Sequence, residues 1–205
     1  MKRLIFLFLI VAACSKSDPI LEGVREPIFG QNNITVSDEK IENLGAELIP
    51  EKCDFVIDSD NRIWKGETRI FAGLPTEAKI KTDKKVVCKG KYIYAGLSTG
   101  ELVKVNAETR NLEWTADIFA AHMPTENAIF LDIVAAPVYN NGFVYAGGLG
   151  HALCKIRDRD GKKEWCLPIS VQAILKSTSN FNIVETTDGR KLAIGTDGKV
   201  YNYAD

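Results

Sequence analysis

The stretch "YAGLSTGELVKVNAETRNLEW", Tyr94 to Trp114, recurs fifty-one residues later as "YAGGLGHALCKIRDRDGKKEW", Tyr145 to Trp165. The two have the same length, Tyr-Ala-Gly opens both, and Glu-Trp closes both. Between those ends Leu102 aligns with Leu153, Lys104 with Lys155, and Val105 with Ile156. Outside them Val87 aligns with Val138 and Ile118 with Ile169. One offset held across so many positions marks an internal repeat. A period of roughly 40–50 residues belongs to propeller blades or helical arrays.

The local pattern chooses between those two. "KYIYAG" and "GFVYAG" are short β-branched and aromatic runs, followed by the Gly-rich turns "GLSTG" and "GGLG". "ELVKV" and "ALCKI" then alternate as strands do when one face is buried. Polar turns, "NAETRN" and "DRDGKK", lead into the closing runs "LEWTADI" and "KEWCLPI". Strand, turn, strand, turn, strand is a β-meander. No window sustains a 3.6-residue apolar period, which excludes helical arrays. Weaker copies flank the two strong ones: "IDSDNRIWKG" from Ile57 and "IGTDGKVYNY" from Ile194. Asn61 takes the Gly position in the first of these, and Asn accepts positive φ better than most residues. Anchored on Asn61, Gly100 (opposite His151) and Gly198, the steps are 39, 51 and 47 residues. This gives four units, the first and last incomplete.

The pattern "Y-A-G … G-x-L-V-K-V … E-W" resembles the quinoprotein-type, or PQQ-like, β-propeller repeat. "DIVAAPVYNNGFVYAGGLGHALCKI" is similar to repeats of BamB-type outer-membrane assembly lipoproteins. The resemblance runs from Cys53 to Asp205 and implies an all-β propeller of four-stranded blades. With about four units against the family's eight, the propeller is expected to be incomplete or open, with the propeller region spanning 51–205. An open arc leaves strand edges and apolar blade faces to be covered. The repeat also implies a tryptophan near each blade's last strand, packed against the next blade. Trp114 and Trp165 hold that position.

The chain begins "MKRLIFLFLIVAACSKSD", with Lys2 and Arg3 before ten apolar residues from Leu4 to Ala13. That is a signal-peptide layout, too short to span a bilayer. "VAAC" resembles the bacterial lipobox, which implies cleavage after residue 13 and lipidation (palmitate included) of Cys14. Ser15 rather than Asp after that cysteine implies sorting to the outer membrane, facing the periplasm. Residues 14–50 then read as a lipid-anchored tether, and a flexible stretch of about 35 residues spans roughly 30–35 Å. "ITVSDEKIENLGAELIP" within it reads as a strand and short helix, or as a strand donated to the last blade.

The whole chain carries 26 basic and 27 acidic residues. Losing Lys2 and Arg3 leaves 24 against 27, a net −3. No basic run occurs, so nucleic acid is not an expected partner. Cys154 and Cys166 lie six residues either side of Asp160, in the middle of the "DRDGK" turn. A symmetric hairpin would set them opposite one another, as a disulfide or as two buried thiols. Cys53 and Cys88 show no such symmetry, and the cysteine spacing fits no zinc site.

Catalytic constellations are not visible. His122 falls in a connecting stretch and His151 in a Gly turn, both reading as structural or surface groups. Neither a Gly-x-Ser-x-Gly nor a His-Glu-x-x-His occurs. No metal or cofactor site is expected. The quinoprotein dehydrogenases that share the repeat use adjacent cysteines, and this chain has none. The resemblance thus implies a non-enzymatic scaffold lipoprotein that contacts a BamA-type barrel subunit. The alternatives are a relative of quinone (PQQ)-dependent oxidoreductases and a shortened propeller fragment without retained function. Binding loops sit best on rigid frames, and the best candidate is the long link Phe119–Asn127, which joins two units and helps make that step the longest.

Overall fold

The computed structural model describes residues 34–39, 41, 43–76, 86–119, 132–150 and 152–203. All regular structure among them is β. β1 is Val36–Ser37. Blade 1 holds β2 (Val56–Ile57), β3 (Arg62–Lys65) and β4 (Thr68–Ala72). Blade 2 holds β5 (Val86–Lys89), β6 (Tyr92–Gly96), β7 (Glu101–Asn106) and β8 (Leu112–Asp117). Blade 3 holds β9 (Val138–Asn140), β10 (Phe143–Gly148), β11 (Ala152–Arg157) and β12 (Lys163–Leu167). Blade 4 holds β13 (Val171–Ser177), β14 (Phe181–Thr186), β15 (Lys191–Gly195) and β16 (Val200–Asn202). Each blade is an antiparallel meander, and β1 adds to the outer edge of blade 4 by parallel pairing with β16.

Successive blades stack face to face, and each contact buries its own apolar cluster. Ile63 and Ile70 of blade 1 meet Ile93, Val103 and Val105 of blade 2. Tyr94 and Leu102, on the other face of blade 2, meet Val144, Cys154 and Ile156 of blade 3. Leu153 of blade 3 meets Val184, Leu192 and Ile194 of blade 4. Because side chains alternate along a strand, neighbours such as Ile93 and Tyr94 belong to different clusters. The strands "ELVKV" and "ALCKI" are therefore buried on both faces, not one. Even Lys104 is only 6% exposed.

The conserved wording of the two strong repeats has a packing cause. A Cβ on Gly96 would lie 2.3 Å from Ile133 Cγ2, and one on Gly147 would lie 3.1 Å from Val171 Cβ. In each case the glycine of Tyr-Ala-Gly lets the next blade pass close by, through its lead-in at Ile133 or through β13 at Val171.

Asn61 adopts φ 59°, matching its reading as the Gly100 equivalent at φ 86°. The register of the last unit differs from that reading. Asp158 N donates to Gly142 O in blade 3, as Ala107 N does to Lys91 O in blade 2. In the last sheet the counterpart is Thr196 N to Asn180 O. Likewise Leu149 N to Asp132 O is matched by Thr187 N to Ser170 O. Gly198 therefore corresponds to Gly161, not to Gly100 and His151. The last unit is a full four-stranded sheet, and only blade 1 has three strands among the described residues.

The described part of the stretch read as a tether is folded. β1 lines blade 4, and Ile41 and Leu44 then pack on Ile183, Ala193 and Tyr201, covering the blade's outer face. This caps one end of the array, as terminal units of repeat proteins require. Of the two readings of "ITVSDEKIENLGAELIP", donation of a strand to the last blade is the one observed.

Candidate interaction surface

The repeated residues form a latch between blades. Trp114, on β8, donates its Nε1 hydrogen to Asp158 O at 2.7 Å, in the β11–β12 turn of the next blade. Lys104 donates to the same carbonyl at 3.1 Å and to the Asp158 carboxylate at 2.6 Å. Tyr94 donates its hydroxyl to that carboxylate, also at 2.6 Å. One blade later, Trp165 and Lys155 both donate to Thr196 O, at 3.3 and 2.8 Å. The tryptophans thus sit between blades, where packing rather than chemistry is their task. Burial first, and then Asp158 beside it, push the Tyr94 phenol far above the usual tyrosine range, so it remains a donor. Burial pushes Tyr145 up to about 12. Sequence reading picked out the donors by their repetition. It missed the acceptors, because Asp158 offers a carboxylate where Thr196 has none and the shared acceptor is a main-chain carbonyl.

Cys154 and Cys166 are direct register partners on β11 and β12 and are joined by a disulfide. Cys53 and Cys88 form a second disulfide, which sequence symmetry gave no reason to expect. It links the lead-in of blade 1 to β5 across a separation of 35 residues.

On the inner side of the blades, strands β5, β9 and β13 border a cleft of about 400 Å³. A strap, residues 46–52, runs along it. Ser179 N donates to Ala46 O and Leu48 N to Ser177 O, pairing the strap with the end of β13. Glu47 pairs with Lys176 at 3.0 Å, and Glu51 with Lys89 at 2.5 Å. Glu51 also accepts from Gly90 N at 2.8 Å. The Lys89 hydrogen bond, and after it the Gly90 amide, hold the Glu51 carboxyl below its usual range, and Glu51 raises Lys89 in return. Beside the strap, β13 carries a bulge between Ile174 and Lys176 that leaves Leu175 unmatched on β14. Bulges re-aim side chains, and Leu175 stands 48% exposed on the cleft that Ile49, at 91%, also lines. Both acids of the cleft are paired with lysines, and among the described residues no three His, Cys, Asp or Glu side chains converge as a metal-holding set.

Several expectations fall outside the described residues: the lipidation of Cys14, both histidines (His122 and His151), and the link beyond Phe119. Phe119 itself is buried between blades 2 and 3 at 2% exposure, so it is core and does not belong to a partner-facing loop.

A family model described as outer membrane protein assembly factor BamB matches residues 53–203. The chain belongs to that family. Its fold is similar to BamB from Moraxella catarrhalis, with TM-score 0.52 and 14% identity over 75% of this chain and 46% of that one. It is also similar to a quinohemoprotein alcohol dehydrogenase from Comamonas testosteroni, with TM-score 0.55 and 15% identity over 76% of this chain and 34% of that one. At these identities the likeness is one of fold. The chain spans less than half the length of either structure. Among curated proteins none matches the sequence. The BamB-family assignment agrees with the PQQ-like repeat, and the four stacked sheets agree with an incomplete propeller.

Proposed function

We propose that the protein is a non-enzymatic scaffold lipoprotein, anchored through Cys14 on the periplasmic face of the outer membrane. It aids β-barrel protein assembly by contact with a BamA-type barrel subunit. The observation that carries this reading is the BamB-family match across all four blades. Rigid stacked blades suit a scaffold, and the exposed Ile49 and Leu175 beside the inner cleft are apolar groups that such a partner would cover. The test is affinity capture of the tagged full chain from detergent-solubilised membranes. Barrel subunit is expected to copurify, less so with Ile49→Asp and Leu175→Asp, and Cys14→Ala is expected to abolish lipid labelling and leave the precursor uncleaved. Absence of the barrel subunit, with unchanged outer-membrane β-barrel levels after gene deletion, would sink this reading.

The fold likeness to a quinohemoprotein dehydrogenase supports a second reading, a quinone-dependent oxidoreductase. Purified protein supplied with quinone, calcium and common alcohols or sugars decides between them. No turnover is expected under the scaffold reading, and measurable turnover favours the second.

A further inference from the structure

The strap crosses the cleft with most of its residues in solvent. Of residues 46–52, all but Leu48 are exposed. Its leading end is tied to blade 4 by the two backbone hydrogen bonds at Ala46 and Leu48 and by the exposed Glu47–Lys176 pair. Its trailing end is tied to blade 2 by Glu51, whose partner Lys89 is itself at the surface, and by the Cys53–Cys88 bond. An exposed ion pair is a weak tether, so the disulfide dominates. The loop it closes contains the whole of blade 1, the thinnest described sheet. The second disulfide is different in kind. Cys154 and Cys166 join two neighbouring strands of one blade already held in register, 12 residues apart, and its loss frees no segment from another blade.

We propose that Cys53–Cys88 is a redox-operated clamp that fixes the strap over the inner cleft, and that a dithiol reductant uncovers the cleft by opening it. The chemistry is ordinary thiol–disulfide exchange. A thiolate of the dithiol attacks Cys53, the half-buried sulfur, and Cys88 leaves as a thiolate. The reagent's second thiolate then displaces Cys53. The dithiol gives two electrons and becomes a cyclic disulfide, and two protons are taken up to leave Cys53 and Cys88 as thiols. Cys88 is 7% exposed and packs with Ile63 and Ile93, so as a small apolar thiol it keeps its place in the core between blades 1 and 2. Opening therefore frees the strap without parting the blades. The strap turns about its backbone bonds at Ala46 and Leu48, and the edges of β5, β9 and β13 become accessible. The clamp concerns access to the cleft and holds whichever partner the cleft meets.

Limited trypsin digestion of the full chain tests this. The substrate is the Cys154→Ser/Cys166→Ser variant, so that Cys53–Cys88 is the disulfide present among the described cysteines. The reading is the rate of cutting after Lys52, followed by mass spectrometry with and without dithiothreitol. Reduction is expected to speed that cut at least tenfold while sites in 138–202 keep their rates. A Cys53→Ser/Cys88→Ser variant without reductant is expected to match the reduced rate. Equal cutting in both redox states would mean that packing alone holds the strap, and the clamp is refuted. Faster cutting throughout blades 2 to 4 would make the bond a staple of the whole fold, which refutes it equally.

Discussion

Replacing Trp114 by alanine removes one side of the latch between blades 2 and 3, and its cost can be worked from the contacts. Core Trp→Ala changes cost about 3–5 kcal/mol. Trp114 is half-buried, which puts it near the lower end, about 3 kcal/mol. The lost Nε1 hydrogen bond adds little, because Asp158 O still accepts from Lys104 at 3.1 Å and no buried acceptor is orphaned. Gly161 sits beneath the ring. It has φ +69°, and a Cβ there would lie 2.9 Å from Trp114 Cδ2. Gly161→Ala should therefore cost about 1–2 kcal/mol for left-handed backbone plus a clash of about 1–3 kcal/mol. The equivalent turn position in blade 2 holds Arg110 at φ 61°, so a side chain is tolerated there. The ring above Gly161, more than the backbone angle, is what calls for glycine. In the Trp114→Ala background the clash disappears and only the backbone cost remains. Urea unfolding followed by far-ultraviolet circular dichroism of wild type, both single variants and the double variant gives the coupling, expected at about 1–3 kcal/mol. Additive costs would show that the ring does not rest on this turn, and the latch would have to be abandoned.

Three further outcomes follow from the same contacts. Asp158→Ala leaves the buried Lys104 ammonium without its carboxylate and should cost about 3–5 kcal/mol, while Lys104→Met in that background should recover most of the loss in urea titrations. Loss of the Cys154–Cys166 bond in the double serine variant should lower stability by about 2–3 kcal/mol for so short a loop, read as a lower urea midpoint than wild type without reductant; equal midpoints would contradict it. The Glu51 carboxyl is held below its usual 4.5 and Lys89 above its usual 10.5. A lowered acid stabilises above its unfolded value and stops doing so as pH falls through the lowered one. The stability difference between wild type and Glu51→Gln should thus be flat from about pH 5 to pH 8 and shrink below 4.5; a difference that grows on acidification would contradict the pairing.

The sequence alone determined the strands, their turns and the repeat, because these rest on local rules. Short β-branched and aromatic runs mark β6 and β10, alternation with period two marks β7 and β11, and Asn61 and Gly100 stand where the chain needs positive φ. Spacing also set Cys154 opposite Cys166, leaving open whether they bond, and matched Trp114 to Trp165, since both relations lie within or between copies of one motif. The tertiary structure decided everything that depends on a neighbouring blade. The turn from Gly195 to Lys199 makes the same two backbone bonds as the turn from Leu97 to Glu101, so by local pattern Gly198 reads as Gly100. The bonds from Thr196 to Asn180 and from Thr187 to Ser170 show that this hairpin occupies the third and fourth places in its blade. Lys104 reads as the solvent position of an alternating strand, yet Asp158, fifty-four residues away, buries it. The strap and the Cys53–Cys88 bond left no periodic trace at all. They join segments with no repeat between them, and such pairings are set by chain path and packing, which no local rule encodes.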